Sequence, residues 1–374
     1  MKFVVSSSEL LTPLQAISRV ISSKNSMSIL DNFLFQLSGH TLTITASDLE
    51  TTVQASIQVQ DVETEGVVAI PKLLTESLKE FPEQPLEFSL NQENMLIDIS
   101  WANGNSKLPG LPGEDYPELP ALKEEHTQIS IPAATLLEGI SRTLFAAAEE
   151  EMRPVMNGIL FDVDTEQATF VASDAHKLLC YTRKDLSAPQ PAKFILPKKP
   201  ASVIKSLLPK VTGNIQVTFD DKNAIFLFPN YRLVCRLVEG NYPAYRTVIP
   251  TANVNKATID RIELLNSVRR VAVYSNQASN LIRFKLEQDE ITISAQNLDF
   301  SISGYERVSC QYSGDAMEIG FKWIFFAEIL SNLPGQDVSL ELSDPSRAGL
   351  LIPIGLTDPN EDICALIIPL MIGA

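Results

Sequence analysis

The sequence predicts an α+β protein made of three similar domains in one chain, each with two helices and antiparallel strands. Three observations carry this reading. The 374-residue chain is too long for one ordinary domain. Strand-like segments with period-two alternation recur three times, as do short amphipathic helices. Landmarks in the first two copies are separated by one constant offset: Asp48 to Asp174, Pro71 to Pro197 and Pro117 to Pro243 are each 126 residues apart. The third copy has drifted, with Asp174 to Asn297 spanning 123.

Each copy opens on a helix: Glu9–Ile21, Ala133–Phe145 and Ile259–Val273 carry apolar residues at helical spacing. A strand–turn–strand–turn–strand segment follows, at Asp31–Ile57, Met156–Thr182 and Ser279–Tyr305. The second helix comes next, within Ala69–Pro82, Ile195–Pro209 and Glu318–Pro334, with Pro71, Pro197 or Phe321 near its start. A Tyr-Pro turn ends at Pro117 and again at Pro243. Linkers are expected at 117–128 and 249–257, giving domains at 1–122, 128–250 and 253–374. The apolar C-terminal run, interrupted by Pro369, is too short to span a bilayer and reads as a buried strand with a short tail.

Asp48 and Glu50, two apart, could be metal ligands or a catalytic pair. Their counterparts are Asp174/His176 and Asn297/Asp299, and a shared metal site would not survive as Asn. Asp and Asn do share the ability to close a tight turn through their own side chains. Three histidines (His40, His126, His176) and four scattered cysteines (Cys180, Cys235, Cys310, Cys364) make a zinc site improbable. Unpaired thiols suit a reducing cytosol, so a cytoplasmic location is expected. The chain has no phosphate-binding loop, nucleophile elbow or zinc-protease motif. Neither an enzyme nor a cofactor is expected. A scaffold that binds peptides without touching DNA is the remaining rival.

Net charge is −16, yet the charge is segregated. The helical segments, taken as 7–25, 71–80, 132–148, 197–210, 258–274 and 320–333, hold 13 Lys/Arg against 7 Asp/Glu. The remainder holds 17 against 39. Arg19, Arg142 and Arg270 fall at equivalent places, and Lys198, Lys199, Lys205 and Lys210 crowd the fourth helix. Basic helices in an acidic chain predict a shared surface facing a polyanion, with salt-sensitive, sequence-independent contacts. If six helices about 8–10 Å apart line a hole, it is roughly 10 Å across after subtracting helix half-widths of about 5 Å. Twelve helices give a hole approaching 30 Å, which admits a duplex with grooves about 8 Å deep on each side. A ring around DNA should therefore be a dimer.

With these pieces in place, the chain resembles the bacterial DNA polymerase III beta subunit family, the replicative sliding clamps, along its whole length. The matching stretches are "MKF", "TASDLE", "MNGILF", "VASDAHKL", "VEGNYPAYRTVIP", "YSGDAMEIGF" and the Pro-containing hydrophobic C-terminus. The resemblance implies the DNA clamp fold: a head-to-tail homodimeric ring of six domains around double-stranded DNA. It implies tethering of the polymerase III alpha subunit, the clamp loader, other polymerases and repair proteins, with no catalysis. It also implies a hydrophobic peptide groove between the second and third domains. The implied groove residues are Arg153, Met156, Ser173, Ala175, His176, Lys177, Leu178, Pro243, Thr247 and Val248, with Phe325, Leu366, Ile367, Ile368, Pro369 and Leu370 from the third domain. DNA would face Arg19, Lys24, Lys72, Arg142, Lys198, Lys199, Lys205, Arg269, Arg270 and Lys322. Lys107 and Leu108 would meet Val273 and Tyr274 at the dimer seam. The chain departs from the family at Ala175 (usually Gly), Lys177 and Thr247 (each usually Arg) and in its uncharged C-terminus, which predicts a more apolar groove. At Glu150 an acid replaces a neutral residue beside the expected DNA path. The seam's usual charge pairing is thinned.

Overall fold

A computed structural model describes residues 1–22, 24–149 and 153–372. The first repeat runs β1 (Lys2–Ser6), α1 (Ser7–Ile17), β2 (Asn32–Ser38), β3 (Thr41–Ser47), β4 (Thr51–Gln58), β5 (Gln60–Thr64), β6 (Gly66–Pro71), α2 (Leu73–Lys79), β7 (Pro85–Asn91), β8 (Leu96–Trp101), β9 (Gly104–Pro109) and β10 (Leu111–Pro112). The second runs β11 (Thr127–Pro132), α3 (Ala133–Thr143), β12 (Gly158–Val163), β13 (Ala168–Ser173), β14 (Lys177–Arg183), β15 (Ala192–Pro197), α4 (Lys198–Leu207), β16 (Asn214–Phe219), β17 (Asn223–Leu227) and β18 (Tyr231–Arg236). A one-turn helix, α5 (Tyr245–Val248), precedes the third. That repeat runs β19 (Asn255–Asp260), α6 (Arg261–Ala272), β20 (Leu281–Glu287), β21 (Glu290–Asn297), β22 (Ile302–Ser309), β23 (Gln311–Ser313), β24 (Met317–Lys322), α7 (Trp323–Asn332), β25 (Asp337–Leu342), β26 (Gly349–Ile354) and β27 (Glu361–Ile367). Each repeat thus carries the two expected helices and antiparallel strands.

The strands form four sheets. One has five strands, β5-β1-β7-β8-β9, and one has four, β22-β21-β20-β24. Two have nine: β10-β6-β2-β3-β4-β18-β17-β16-β11 and β15-β12-β13-β14-β27-β26-β25-β19-β23. In each nine-stranded sheet the third hairpin strand of one repeat pairs with the last strand of the next. β4 pairs with β18 (Val53↔Leu233) and β14 with β27 (Cys180↔Cys364). The chain accordingly gathers into two compact units, Met1–Leu137 with Lys199–Leu237 and Glu138–Lys198 with Val238–Ala374. The joins between repeats lie inside these units, so compactness does not follow the sequence repeat.

Local chemistry explains the elements. In α1, Leu10, Leu14 and Ile17 are buried at intervals of four and three, the stripe that places a helix on a core. The helix ends at Ile17, well short of the expected residue 25, and Lys72 donates to the Ser18 carbonyl at its end (3.3 Å). α6 begins on Asp260, whose carboxylate accepts from the Glu263 amide at 2.8 Å. In α3, Gly139 lets the helix lie directly on the Phe170 ring; a Cβ there would come within 2.7 Å of it. Alternating strand residues supply much of the cores, including Phe3, Phe35 and Phe88 in the first unit and Phe161, Phe170, Phe284 and Phe321 in the second, where Phe326 joins them from α7.

Candidate functional site

The three repeated carboxylate or amide turns are backbone corners. The Asp48 carboxylate accepts from the Glu50 and Thr51 amides at 3.1 and 2.6 Å, and that of Asp174 from the His176 and Lys177 amides, both at 2.8 Å. Ser47 and Ser173 each accept from the amide two residues on at 3.1 Å. The residue at the corner is left-handed in both, Leu49 at φ 77° and Ala175 at φ 72°. The third turn is built differently: Asn297 accepts only from Asp299 (3.1 Å), and the left-handed residue is Ser301 at the far end. Counted from the last strand pairs, Ser47↔Thr52, Ser173↔Leu178 and Asn297↔Ile302, Leu298 occupies the place of Asp48. The sequence alignment on Asn297 was therefore one residue out of structural register. Among the described residues no cluster of His, Cys, Asp and Glu could hold a metal.

The Asp174 turn forms one wall of an apolar groove within the second unit, a cavity of about 290 Å³. Met156, Ser173, Ala175, His176, Lys177, Leu178, Pro243, Thr247, Val248, Leu366 and Ile368 line it, together with Tyr242, Ala244 and Tyr245, which sequence reasoning missed. Beneath it lies a buried cluster that includes Leu160, Val171, Cys180, Ile195 and Leu350. Tyr245 holds the opposite wall. Its hydroxyl donates to Asp162 at 2.8 Å, and that buried carboxylate also meets Lys193 at 3.1 Å and Arg246 at 3.2 Å. Burial, followed by the Asp162 bond, pushes the Tyr245 phenol up, so it stays protonated as a donor. α5 is thereby fixed, which sets Thr247 and Val248 on the rim. The Tyr-Pro turn "NYPAYR" was the available signal for the missed tyrosines.

Lys177 is 5% exposed and cannot act as an open cationic rim. Its amine contacts Asp174 at 2.6 Å and Glu328 at 3.0 Å and lies 4.5 Å from the centre of the Phe325 ring. His176 stacks on the same ring, 5.2 Å between centroids. Phe325 therefore braces the turn from behind and does not line the cavity. The remaining sequence-expected groove residues also lie elsewhere. Ile367 is fully buried, because strand alternation turns it away from Leu366 and Ile368. Arg153 is exposed at the 3-10 turn Pro154–Met156. Pro369 is half-buried outside the lining, and Leu370 bridges to Gly320, its amide donating to the Gly320 carbonyl at 2.8 Å.

The cations expected to face DNA divide in two. Arg19, Lys24 and Lys205 are exposed. Others are engaged within the chain. Lys72 caps α1; Lys199 pairs with Asp48 and donates to the Val20 carbonyl at 2.7 Å; Lys198 pairs with Glu149. Arg142 donates to the Asn332 carbonyl at 3.1 Å, Arg269 to Ser331 at 3.1 Å, and Arg270 forms a 2.7 Å ion pair with Glu306. Lys322 lies 5.4 Å from the Phe325 ring. Arg19, Arg142 and Arg270, equivalent in sequence, thus have different surroundings. Glu150 lies outside the described residues.

Of the eight outer sheet strands among the described residues, two adjoin the residues expected at the dimer seam. β9, carrying Lys107 and Leu108, is one outer edge of the five-stranded sheet, and β22 is one outer edge of the four-stranded sheet. Lys107 reaches Asp98 on β8 at 3.6 Å. Beside β22, Val273 is 74% exposed and Tyr274 41%. The Tyr274 ring lies on Gly304, where a Cβ would meet it at 2.4 Å.

Chained repeats joined strand to strand, with an open edge strand on each terminal sheet, are the architecture of a clamp-type assembly protein. Comparisons specify the class. Family models for the DNA polymerase III beta subunit match its N-terminal domain at residues 1–120, its central domain at 130–244 and its C-terminal domain at 246–370. The chain belongs to this family, the non-catalytic sliding clamps of DNA replication. It is 28% identical over 367 residues to the beta sliding clamp of Synechococcus elongatus, covering 95% of this chain and 96% of that one. It is 27% identical over 376 residues to that of Treponema pallidum, covering 99% of both. The fold matches the Pseudomonas aeruginosa DnaN sliding clamp bound to griselimycin, with TM-score 0.93, 23% identity and 100% of both chains covered. It also matches the Thermotoga maritima beta subunit, with TM-score 0.91, 23% identity and the same coverage.

Proposed function

We propose that two copies of this chain close head to tail into a ring around duplex DNA and there tether partner proteins through the apolar groove. One observation carries the ring. Both joins between repeats build a nine-stranded sheet, whereas the terminal sheets have five and four strands, with β9 and β22 as open edges. Pairing β22 of one copy with β9 of another makes a third nine-stranded sheet in the same strand order. Made twice, that join closes six repeats, and it also covers edges that invite aggregation when left bare. The domain boundaries of this reading are 1–122, 128–250 and 253–374. Val273 and Tyr274 would meet Lys107 and Leu108.

Arg19, Lys24 and Lys205 are the cations best placed to meet phosphates, with the engaged residues contributing less; this supports weak, sequence-independent contact. The groove suits a short linear peptide with apolar side chains, as expected for the polymerase III alpha subunit, the clamp loader, other polymerases and repair proteins. With Lys177 neutralised by Asp174 and Glu328, an acidic anchor on the peptide gains little. A cytoplasmic location fits work on the chromosome, and no helix among the described residues is long and apolar enough to cross a membrane.

The test is retention after loading. The ring should remain on closed circular DNA and run off the same DNA once it is cut. Equal loss from both would refute encirclement.

A further inference from the structure

The two internal joins have a second contact besides the strand pairing. At each, the hairpin turn of one repeat lands at the start of the second helix of the next. Asp48 receives Lys199 from the first turn of α4, and the 174–177 turn meets Phe325 and Glu328 on α7. Among the described residues, no second helix meets the third turn, 298–301, and no turn meets the first repeat's second helix, α2.

Position by position, this outstanding pair differs in chemistry from the first join. Leu298 stands at the place of Asp48, by strand-pair register. Leu73 stands at the place of Lys199, 126 residues apart. Both leucines are exposed in the single chain, Leu298 at 76% and Leu73 at 61%, and Phe300 beside Leu298 is 74% exposed. Large side chains so exposed at one turn and one helix start are the features of a surface that becomes covered.

We infer that the seam between two copies is locked by Leu298 and Phe300 of one chain packing on Leu73 of the other, an apolar contact where the first internal join has an Asp–Lys ion pair. This rests on the ring reading above and specifies its chemistry. A contact of this kind gains from burial of apolar surface and is not screened by salt. The seam should therefore hold at ionic strengths that strip the ring's hold on phosphates.

The experiment is sedimentation equilibrium of the full chain, the variants Leu298→Asp and Leu73→Lys, and the double variant carrying both. Each is measured between roughly 0.1 M and 1 M salt. Thermal melts check that the exposed-site variants fold. The wild type should be a dimer whose dissociation constant moves less than about threefold across that range. Leu298→Asp should weaken it by about 100-fold or more, since a carboxylate would be desolvated against leucine. The double variant should recover much of the loss at low salt and lose it again at high salt, reproducing the Asp48–Lys199 chemistry. A wild-type monomer at all concentrations would overturn the ring reading itself. A wild-type dimer that tolerates Leu298→Asp, or that dissociates at high salt, would overturn this inference and leave the ring reading intact.

Discussion

Replacing Ala175 by glycine tests how the groove turn is held. Ala175 sits at φ 72° with Ser173 bonding its amide at 3.1 Å, and its methyl group lines the cavity. A left-handed backbone costs an L-residue about 1–2 kcal/mol relative to glycine. Glycine's extra freedom in the unfolded chain takes back about 0.5–1 kcal/mol. The net expectation for Ala175→Gly is a gain of about 0.5–1 kcal/mol. In a unit of roughly 200 residues that raises the melting midpoint by about 1–4 °C. Trp101 lies in the first unit and Trp323 in the second, so fluorescence in a Trp101→Phe background follows the second unit alone. Leu49→Gly, at φ 77° in the matching turn of the first unit, should show the same sign when followed through Trp101 in a Trp323→Phe background. An unchanged or lower midpoint for Ala175→Gly would refute the reasoning. It would mean that the Ser173 and Asp174 side-chain bonds offset the backbone strain entirely.

Further outcomes are expected. Gly139→Ala drives a Cβ into the Phe170 ring at 2.7 Å and should lower the second unit's stability by about 1–3 kcal/mol, read by urea unfolding. Gly304→Ala displaces the Tyr274 ring and should raise the dimer dissociation constant while leaving peptide binding in the groove unchanged, as read by sedimentation and fluorescence anisotropy. Asp185 is held below the ordinary carboxylate range by its hydrogen bonds from Arg183. A depressed carboxyl stabilises the fold above its unfolded pKa of about 3.9 and loses that contribution as pH falls through the folded value. The stability gap between wild type and Arg183→Gln should therefore narrow from about pH 6 to about pH 3. Arg19→Glu with Lys24→Glu should weaken equilibrium binding of the unloaded protein to DNA, read by fluorescence anisotropy, and flatten its dependence on salt by about one phosphate contact per residue, while retention of the loaded ring on closed circles stays as it was.

What could be read from the sequence followed the local code. The 126-residue offset located the first two turns, their helix pairs and the Tyr-Pro motif, whereas the Asp-to-Asn exchange read for the third turn rested on an alignment one residue out of register. The terminal strand with a short tail appears as β27 followed by 368–372. Joins between repeats were not legible, because Thr51 and Cys235 become partners only through folding, and period-two alternation names no partner. The surroundings of the basic residues were hidden for the same reason. Nothing near Lys199 in sequence announces Asp48, and nothing near Arg142 announces the last turn of α7. In the groove, Ile367 was misplaced by one step of strand alternation, and Tyr245 was missed because its role depends on a buried acid 83 residues earlier.

Hydrogen exchange of the edge strands β9 and β22 tests the central claim most directly. As the chain is concentrated through its dimer transition, the outward amides of β9 and β22 should slow together, by the same factor, while those of β4–β18 and β14–β27 stay as they were. If the mass doubles and these two edges keep exchanging at the monomer rate, the copies meet elsewhere and the continued-sheet account is wrong.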